Sequence, residues 1–191
     1  MKSVFQIIKK RRSIRKFKKR NISKKVIKKI IESGLYAPSS KNCQPWHFIV
    51  LRGKKKDKIA EITEKNFEQP SWYPPEKSSV LASCKIIKQA PILILVLNKG
   101  PRSGGEKKAT KNTELISAII AETLSIGACI ENMLLTATSY GLGSLWIGDL
   151  RNAKDAIQKY LKIKYDLIAG IAIGYSDYKP KPKIIQKLKL M

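Results

Sequence analysis

Three of the seven arginines in this chain lie within five residues, in the segment Arg11-Arg12-Ser13-Ile14-Arg15, although the chain has 32 lysines. A guanidinium group is a planar fork of N–H donors that matches the oxygens of a phosphate, whereas an ammonium group is a point charge. The serine adds a hydroxyl. A basic helix end, where cations complement the helix dipole, would also account for the segment. The local enrichment of arginine favours the phosphate-binding interpretation.

A second polar segment runs from Pro38 to Trp46 and contains two hydroxyl and two amide side chains. Asn and Gln each present a donor and an acceptor, which suits the polar edge of a flat heterocycle such as a flavin ring. The alternative is a turn that ends a helix and satisfies its own backbone groups. The candidate binding residues of this segment are Pro38, Ser39, Ser40, Asn42 and Gln44.

A third segment, Gly141-Leu142-Gly143-Ser144-Leu145-Trp146-Ile147-Gly148, places glycines around a short apolar run. Backbone N–H groups beside glycine can approach a ligand closely because no Cβ stands in the way. The three segments together offer fixed charge for a phosphate, amides for the edge of a heterocycle and accessible backbone. FMN is one of the few soluble ligands that needs all three.

Length and composition predict a single domain over residues 1–191, large enough to bury a core. No uncharged apolar run reaches the roughly 18 residues of a membrane-spanning helix, so no membrane span is predicted. Residues 1–10 lack the apolar stretch of a signal peptide, which indicates a mature cytoplasmic protein. The widely spaced Cys43, Cys84 and Cys129 fit reduced thiols. These cysteines and the single histidine do not have the spacing of a zinc site, so no metal is predicted.

The formal charge of +25 has two interpretations. A strongly basic chain can bind nucleic acid. A lysine-rich surface can also be solvated without a specific partner, and the lysines here are scattered over predicted helix faces and loops. No zinc-finger spacing or aromatic RNA-binding motif accompanies them. We therefore predict no specific nucleic-acid partner, and a charge that speeds the association of anionic small ligands.

The spacing of apolar residues predicts a chain of mixed helices and strands. Ser3 and Ser23 are typical N-caps of the first two helices, and Pro38 ends the second. The run at 92–97 is apolar on both faces, as expected of a central buried strand. Further helices are predicted over 54–66, 78–89, 113 or 117 to 140, and 152–162, and strands over 46–51, 92–97, 144–147 and 167–173.

The predicted helix that reaches Tyr140 is apolar nearly all round. Such a helix has to be buried on several sides. A domain of 191 residues can hardly surround it alone, so we expect a partner subunit to cover part of it. Gly141 and Gly143 follow its end, where glycine commonly terminates a helix.

The segments Arg11–Phe17 and Ala37–Phe48, the glycine-bounded strand at 141–148 and the basic tail together resemble the nitroreductase family of FMN-dependent oxidoreductases. The resemblance covers most of the chain. It implies an α+β fold with a central, mostly antiparallel sheet flanked by helices, and a homodimer with the long buried helix at its interface. The tail, from about residue 175 to 191, would run over the surface or over the partner subunit.

The resemblance also implies where FMN lies, namely in a cleft between two subunits. Arg11, Arg12 and Ser13 match positions that hold the phosphate and the ribityl chain, and Arg15 matches a cation near the pyrimidine edge of the flavin. The remaining matches fall into three groups. Pro38, Ser39, Ser40 and Asn42 match the segment that the other subunit contributes, and Lys181 and Lys183 match basic positions at the phosphate. Trp146, Ile147 and Gly148 match the strand along the ring, with the Gly148 N–H near N5.

Lys183 departs from the family pattern, which often has arginine at that position. The chain is also shorter than many relatives, and the family's helical excursion over the pocket is reduced. A proline-bounded aromatic segment at 70–75 contains Trp72 and Tyr73 in an otherwise polar stretch. We predict that these two residues lie over the site where the electron acceptor binds.

The implied activity is hydride transfer from NADH or NADPH through FMN to an electron-poor acceptor such as a nitroaromatic or a quinone, with ping-pong kinetics. The cofactor carries the chemistry, so no catalytic side chain is required. Other reactions on the same scaffold stay open, namely dehalogenation, enone reduction and flavin breakdown. A protein of another class, which stores flavin or binds nucleic acid without turnover, is a further alternative.

Overall fold

The computed structural model of the protein describes residues 3–67, 79–100 and 112–184. Six α-helices and four β-strands lie in those ranges. The helices are α1 (Val4–Lys10), α2 (Lys24–Leu35), α3 (Gly53–Lys65), α4 (Ser79–Gln89), α5 (Asn112–Ser139) and α6 (Lys154–Leu161). The strands are β1 (Trp46–Leu51), β2 (Ile92–Asn98), β3 (Gly143–Ile147) and β4 (Asp166–Gly174).

The strands form one sheet in the order β1-β2-β4-β3, and every pair in it is antiparallel. The central strand β2 is fully buried from Ile92 to Leu97, because apolar clusters cover both faces of the sheet. One cluster joins the sheet to α3, α4 and α6, and the other joins it to α2 and α5. The predicted α+β class with a mostly antiparallel sheet is therefore confirmed.

Local signals set the helix ends, as the sequence predicts. The hydroxyl of Ser3 accepts a hydrogen bond from the Gln6 N–H, and the hydroxyl of Ser23 accepts one from the Val26 N–H. At the end of α5, Gly141 has a φ of +73° and donates its N–H to Thr138 O. Leu142 then donates to the carbonyl of Ala137, so two carbonyls of the last turn are satisfied by the residues that follow α5.

The predicted helix at 152–162 begins two residues later, at Lys154. Residues 149–153 form a 3-10 turn instead. Leu150 in this turn is fully buried, and a Cβ on Gly170 of β4 would lie 2.5 Å from Leu150 Cδ1. The turn is therefore shaped by its packing against the sheet. The spacing of apolar residues in the sequence does not predict that contact.

Helix α5 is only partly covered within one chain, which is consistent with the expectation that a single domain cannot surround it alone. Its C-terminal half packs against α2 and the sheet. The N-terminal half presents Ile116, Ile119, Ile120 and Leu124, whose exposed fractions are 56%, 48%, 52% and 69%. The physical reason is that the sheet and α2 extend along only part of this 28-residue helix. The uncovered apolar half stays available to a second subunit.

Helix α5 also has the length and apolar composition of a membrane-crossing helix, but core helices of folded proteins meet the same criteria. Its buried residues include Ile126, Ile130 and Met133, which pack in the same cluster as β2 and β4. We therefore interpret α5 as a core helix. The single-domain division over 1–191 stays a prediction.

All three cysteines are buried and unpaired, as expected of reduced thiols. Cys129 lies where α2 crosses α5, and a Cβ on Gly34 would come within 2.9 Å of its sulfur. Burial in these apolar surroundings raises the pKa of Cys129 to about 12, and burial, followed by the carboxylate of Glu64, raises the pKa of Cys84 to about 11.

These raised pKa values predict a loss of stability at alkaline pH. An unfolded thiol ionises near pH 8.5, whereas the folded state keeps both thiols protonated. The contribution of Cys129 is thus complete below about pH 8.5 and is lost as the pH rises through about 12. In urea titrations from pH 7 to pH 11, the stability difference between the wild type and Cys129→Ala should shrink with pH. Parallel stability curves for the two proteins would contradict this expectation.

Candidate functional site

A groove of about 620 Å³ lies between the segment after α1 and the C-terminal tail. Among the residues that the structure describes, six cationic side chains and no Asp or Glu line it. The structure thus brings together two sets of predicted residues that are about 170 positions apart in the sequence. The lining residues are Arg11, Arg12, Ser13, Arg15, Tyr178, Lys179, Pro180, Lys181 and Lys183.

Arg12 joins the two sides of this basic groove. Its Nε donates to the carbonyl of Lys181 at 3.1 Å, while one terminal nitrogen donates to the carbonyls of Lys9 and Arg11 at 2.6 and 2.7 Å. Three backbone carbonyls from two distant segments therefore converge on one guanidinium. The sequence suggests that the N–H donors of the Arg12 guanidinium bind a phosphate. In the structure, some of the donors of this group hold the tail in place instead.

The other two arginines of the segment have different surroundings. The Nε of Arg11 lies 3.1 Å from a carboxylate oxygen of Glu131 on α5, so this cation is partly balanced within the protein. The exposed Arg15 makes one long contact, 3.5 Å, to the carbonyl of Ser13. Its backbone N–H donates to the Tyr178 hydroxyl at 3.4 Å. Of the three guanidinium groups, that of Arg15 is the least engaged by the protein.

The basic segment runs alongside the edge of the sheet. Ser13 forms a parallel bridge with Ser144 of β3, and the N–H of Ile14 donates to the Ser144 carbonyl at 2.9 Å. Gly148, which follows β3, lies four residues further along, or about 13 Å at the rise of an extended strand. The basic segment therefore lies beside β3, and Gly148 follows the far end of that strand.

The three residues predicted along the flavin ring differ in accessibility. The side chain of Trp146 is 44% exposed and packs near Gly127 of α5. Ile147 is 2% exposed and packs into the core, so a ligand can meet only its backbone. Gly148 is exposed, with a φ of −83° and nothing within 4 Å of a Cβ placed there. Neither backbone conformation nor packing within the described residues requires glycine at this position.

The Pro38–Gln44 segment lies on a different surface of the same chain. With α5 residues including Leu124 and Ala128, Pro38, Ser39 and Ser40 line a second, shallower groove of about 340 Å³. That groove shares no lining residue with the basic groove. Within one chain, the structure therefore does not bring the two predicted halves of the site together.

The polar groups of this segment are largely engaged with one another. The Ser39 hydroxyl accepts from the Gln44 N–H at 3.0 Å, and the Gln44 side-chain nitrogen donates to the Asn42 side-chain oxygen at 3.0 Å. Lys41, Asn42 and Gln44 have φ values of 49°, 52° and 46°, in the left-handed region that lysine and glutamine rarely adopt. Such strain persists only where surrounding contacts hold it, and it clusters at binding sites.

Sequence reasoning missed three lining residues of the basic groove, Tyr178, Lys179 and Pro180. The Pro/Lys-rich tail gave a signal for a basic surface, but its attachment to residues 16–18 depends on distant backbone contacts. Lys18 donates its N–H to Tyr175 O, and Asp177 donates its N–H to Lys16 O. Trp72 and Tyr73, together with tail residues 185–191, lie outside the described residues.

Comparison with known proteins shows which family this arrangement belongs to. The model of the nitroreductase family matches residues 8–175, which include the basic segment, the polar turn and the whole sheet. The chain therefore belongs to the nitroreductase family. The predicted family and the predicted class of enzyme, an oxidoreductase, are confirmed.

Individual relatives agree with this assignment. A protein of Methanothermobacter thermautotrophicus, described provisionally as an NADH dehydrogenase/NAD(P)H nitroreductase, is 29% identical over 93% of this chain and 79% of its own length. A BluB-like flavoprotein of Clostridium difficile 630 is 31% identical with a TM-score of 0.79, over 98% of this chain and 96% of its own.

A structure from Desulfovibrio desulfuricans, described provisionally as a nitroreductase and solved in complex with FMN, has a TM-score of 0.68. It is 23% identical and covers 100% of this chain and 99% of its own. At this identity the likeness shows the shared fold.

The contacts of Arg12 predict that it holds the tail. In Arg12→Lys, a single ammonium cannot reach all three carbonyls with the same geometry, so backbone amides at 177–184 should exchange hydrogen about tenfold faster. Hydrogen exchange read by mass spectrometry measures this directly. Arg52→Lys is the matched control, because the Arg52 guanidinium also donates to a backbone carbonyl, that of Ile22, away from the tail. Equal tail protection in both variants and the wild type would contradict the prediction.

Proposed function

We propose that two copies of this chain bind FMN between them and transfer a hydride from NADH or NADPH to an electron-poor small molecule, such as a nitroaromatic or a quinone. The observation that carries the proposal is the groove of six cations, whose residue Ser13 bridges Ser144 of β3, four residues before the exposed Gly148. A phosphate dianion fits the cationic groove, and a flat ring fits the uncrowded backbone at Gly148.

The family match confirms the predicted FMN cofactor and NAD(P)H donor, and the FMN-bound neighbour agrees with them. The donor set of the basic groove fits the phosphate, because its lining has cations and hydroxyls and no carboxylate to repel it. When bound, FMN supplies the two-electron chemistry that no side chain of the protein can supply. The chain's own residues bind and orient the cofactor.

The roles of these residues follow from their surroundings. Lys181, Lys183 and Ser13 are exposed and supply charge and a hydroxyl for the phosphate end. Arg12 keeps the tail against the groove through the Lys181 carbonyl. Arg15 has the least engaged of the three guanidinium groups, and it provides positive charge that stabilises an anionic ring edge. Trp146 offers an exposed aromatic surface beside the open Gly148.

A homodimer accounts for the separation of the two predicted halves of the site. The polar turn at 38–44 borders the exposed face of α5, where Ile120 and Leu124 are 52% and 69% exposed. Val4 and Phe5 of α1 are 70% and 63% exposed. Burying such apolar surfaces against a second copy would bring the partner's polar turn towards the basic groove of the first copy. Unpaired cysteines and an NAD(P)H donor support a cytoplasmic location as part of this proposal.

The proposed activity is tested by anaerobic titration of the purified yellow protein with NADH and with NADPH, followed by a panel of acceptors. The panel contains a nitroaromatic, a quinone, a halogenated phenol and an enone, and we expect the first two to reoxidise the flavin most rapidly.

In Gly148→Val, the branched side chain fills the open space at a φ that valine adopts freely, so the fold should persist while FMN binds at least tenfold more weakly.

Two results would overturn the proposal. One is a wild-type protein that retains no flavin and instead binds DNA with steep salt dependence, which would favour the nucleic-acid alternative. The other is a flavin that neither nicotinamide reduces, which would favour storage without turnover. Unchanged FMN affinity in Gly148→Val would remove Gly148 from the binding site.

The proposed interface predicts a coupled loss of dimer and cofactor. Leu124→Lys places a charge in the apolar face of α5, and burying an unpaired ammonium costs several kcal/mol. Sedimentation equilibrium should therefore show monomers, and flavin absorbance should show FMN occupancy reduced at least tenfold. Leu81→Lys on α4, where the leucine is 43% exposed, is the control and should stay dimeric. A dimeric Leu124→Lys protein with full FMN occupancy would contradict the interface.

A further inference from the structure

Asp149 follows Gly148 directly, and its carboxylate is bonded to a different part of the fold. One carboxylate oxygen accepts from the Ser79 hydroxyl at 3.0 Å, and the other accepts from the Ser83 hydroxyl at 2.6 Å. Both serines belong to the first turns of α4, and Ser83 is only 8% exposed. The residue after the open backbone at Gly148 is therefore tied to a helix about 70 positions away in the sequence.

The two hydrogen bonds from the serine hydroxyls to the Asp149 carboxylate are strong ones. Hydrogen bonds to an ionised carboxylate are stronger than those between neutral groups. The carboxylate also lies at the N-terminal end of the 11-residue helix α4, where the helix dipole favours negative charge. Ser83 is followed by Cys84, whose pKa is raised mainly by burial. The Asp149 carboxylate makes a minor contribution in the same direction.

The backbone between Gly148 and the rest of the turn is fixed as well. The Gly148 carbonyl accepts from the Arg151 N–H at 3.1 Å, and the Asp149 carbonyl accepts from the Asn152 side chain at 3.0 Å. The buried Leu150 fixes the turn against β4. Gly148 itself has no side chain to fix it, so its orientation depends on β3 before it and on Asp149 after it.

We propose that Asp149 is a positioning residue, which uses its bonds to Ser79 and Ser83 to hold the Gly148 peptide in the orientation that FMN requires. The inference rests on the proposed function for the identity of the ligand. It goes further by assigning a role to three residues that line neither groove of the candidate site. Without the tie, the Gly148 peptide would have to be ordered each time the cofactor binds, and affinity would fall accordingly.

The test uses the full chain labelled with ¹⁵N-glycine, in which Gly148 is one of 11 glycine signals. The ¹⁵N relaxation of Gly148 is measured without and with added FMN to obtain its order parameter, and the FMN dissociation constant is measured by fluorescence quenching. The variants are Asp149→Ala, Asp149→Asn and the double variant Ser79→Ala with Ser83→Ala. Asp155→Ala, which removes an exposed carboxylate from the first turn of α6, is the control.

In Asp149→Ala we expect the order parameter of the Gly148 amide to fall from about 0.85 to below about 0.6 and FMN to bind about tenfold more weakly. Gly170 in β4 serves as an internal reference, because a general loosening of the fold would lower its order parameter too. Asp149→Asn keeps a side chain that can bond to both hydroxyls and should stay within about threefold of the wild type. The double serine variant should resemble Asp149→Ala, and it tests the same tie if that variant fails to fold.

An unchanged Gly148 order parameter and unchanged FMN affinity in Asp149→Ala or in the double serine variant would overturn the inference. Equal losses in Asp149→Asn and Asp149→Ala would also overturn it, since hydrogen bonding would then not be the cause. A wild-type protein that binds no FMN would defeat the proposed function instead. In that case, the Gly148 order parameter in the FMN-free protein still decides whether Asp149 holds the turn.

Discussion

The candidate site depends on the attachment of residues 13–18 to the edge of the sheet. The Ile14 N–H bonds to the Ser144 carbonyl, and Ile14 and Phe17 are both buried. Glycine permits the approach, because a Cβ on Gly143 would lie 2.6 Å from Ile14 and a Cβ on Gly174 would lie 2.6 Å from Phe17. With these two apolar side chains turned inward, Arg15 between them and Arg11 and Arg12 before them line the groove. The positions of the charges therefore follow from the packing of their uncharged neighbours.

Much of the fold could be predicted from local sequence patterns. The caps at Ser3 and Ser23 act within one helical turn, and the apolar run of β2 reflects burial on both faces of the sheet. The basic and polar segments were also recognisable, because residue types such as the clustered arginines are informative without any structure. Contacts between distant segments could not be predicted from the sequence. Nothing near Arg12 in the sequence indicates that its guanidinium binds the Lys181 carbonyl, and nothing near Asp149 indicates Ser79.

Helix α5 shows what composition indicates about burial and what it leaves open. Its apolar residues run around the whole helix, which predicts cover on every side, and the length of the chain predicts that a single domain cannot supply all of it. In the structure, the sheet and α2 cover the C-terminal half, while Ile116 and Leu124 face outward. Sequence composition records that a surface is to be buried but not which chain buries it. The high positive charge is similar in this respect, since charge scattered over a surface does not name a partner.

The bond between Arg12 and Lys181 joins residues 169 positions apart. A groove built from both ends of the described chain cannot exist until the later segment has left the ribosome and folded back. Under the proposed function, flavin capture is consequently a late event in maturation, and earlier folding intermediates gain no stability from the cofactor. Scarcity of flavin in a cell would then lower the amount of finished enzyme without slowing the formation of the sheet.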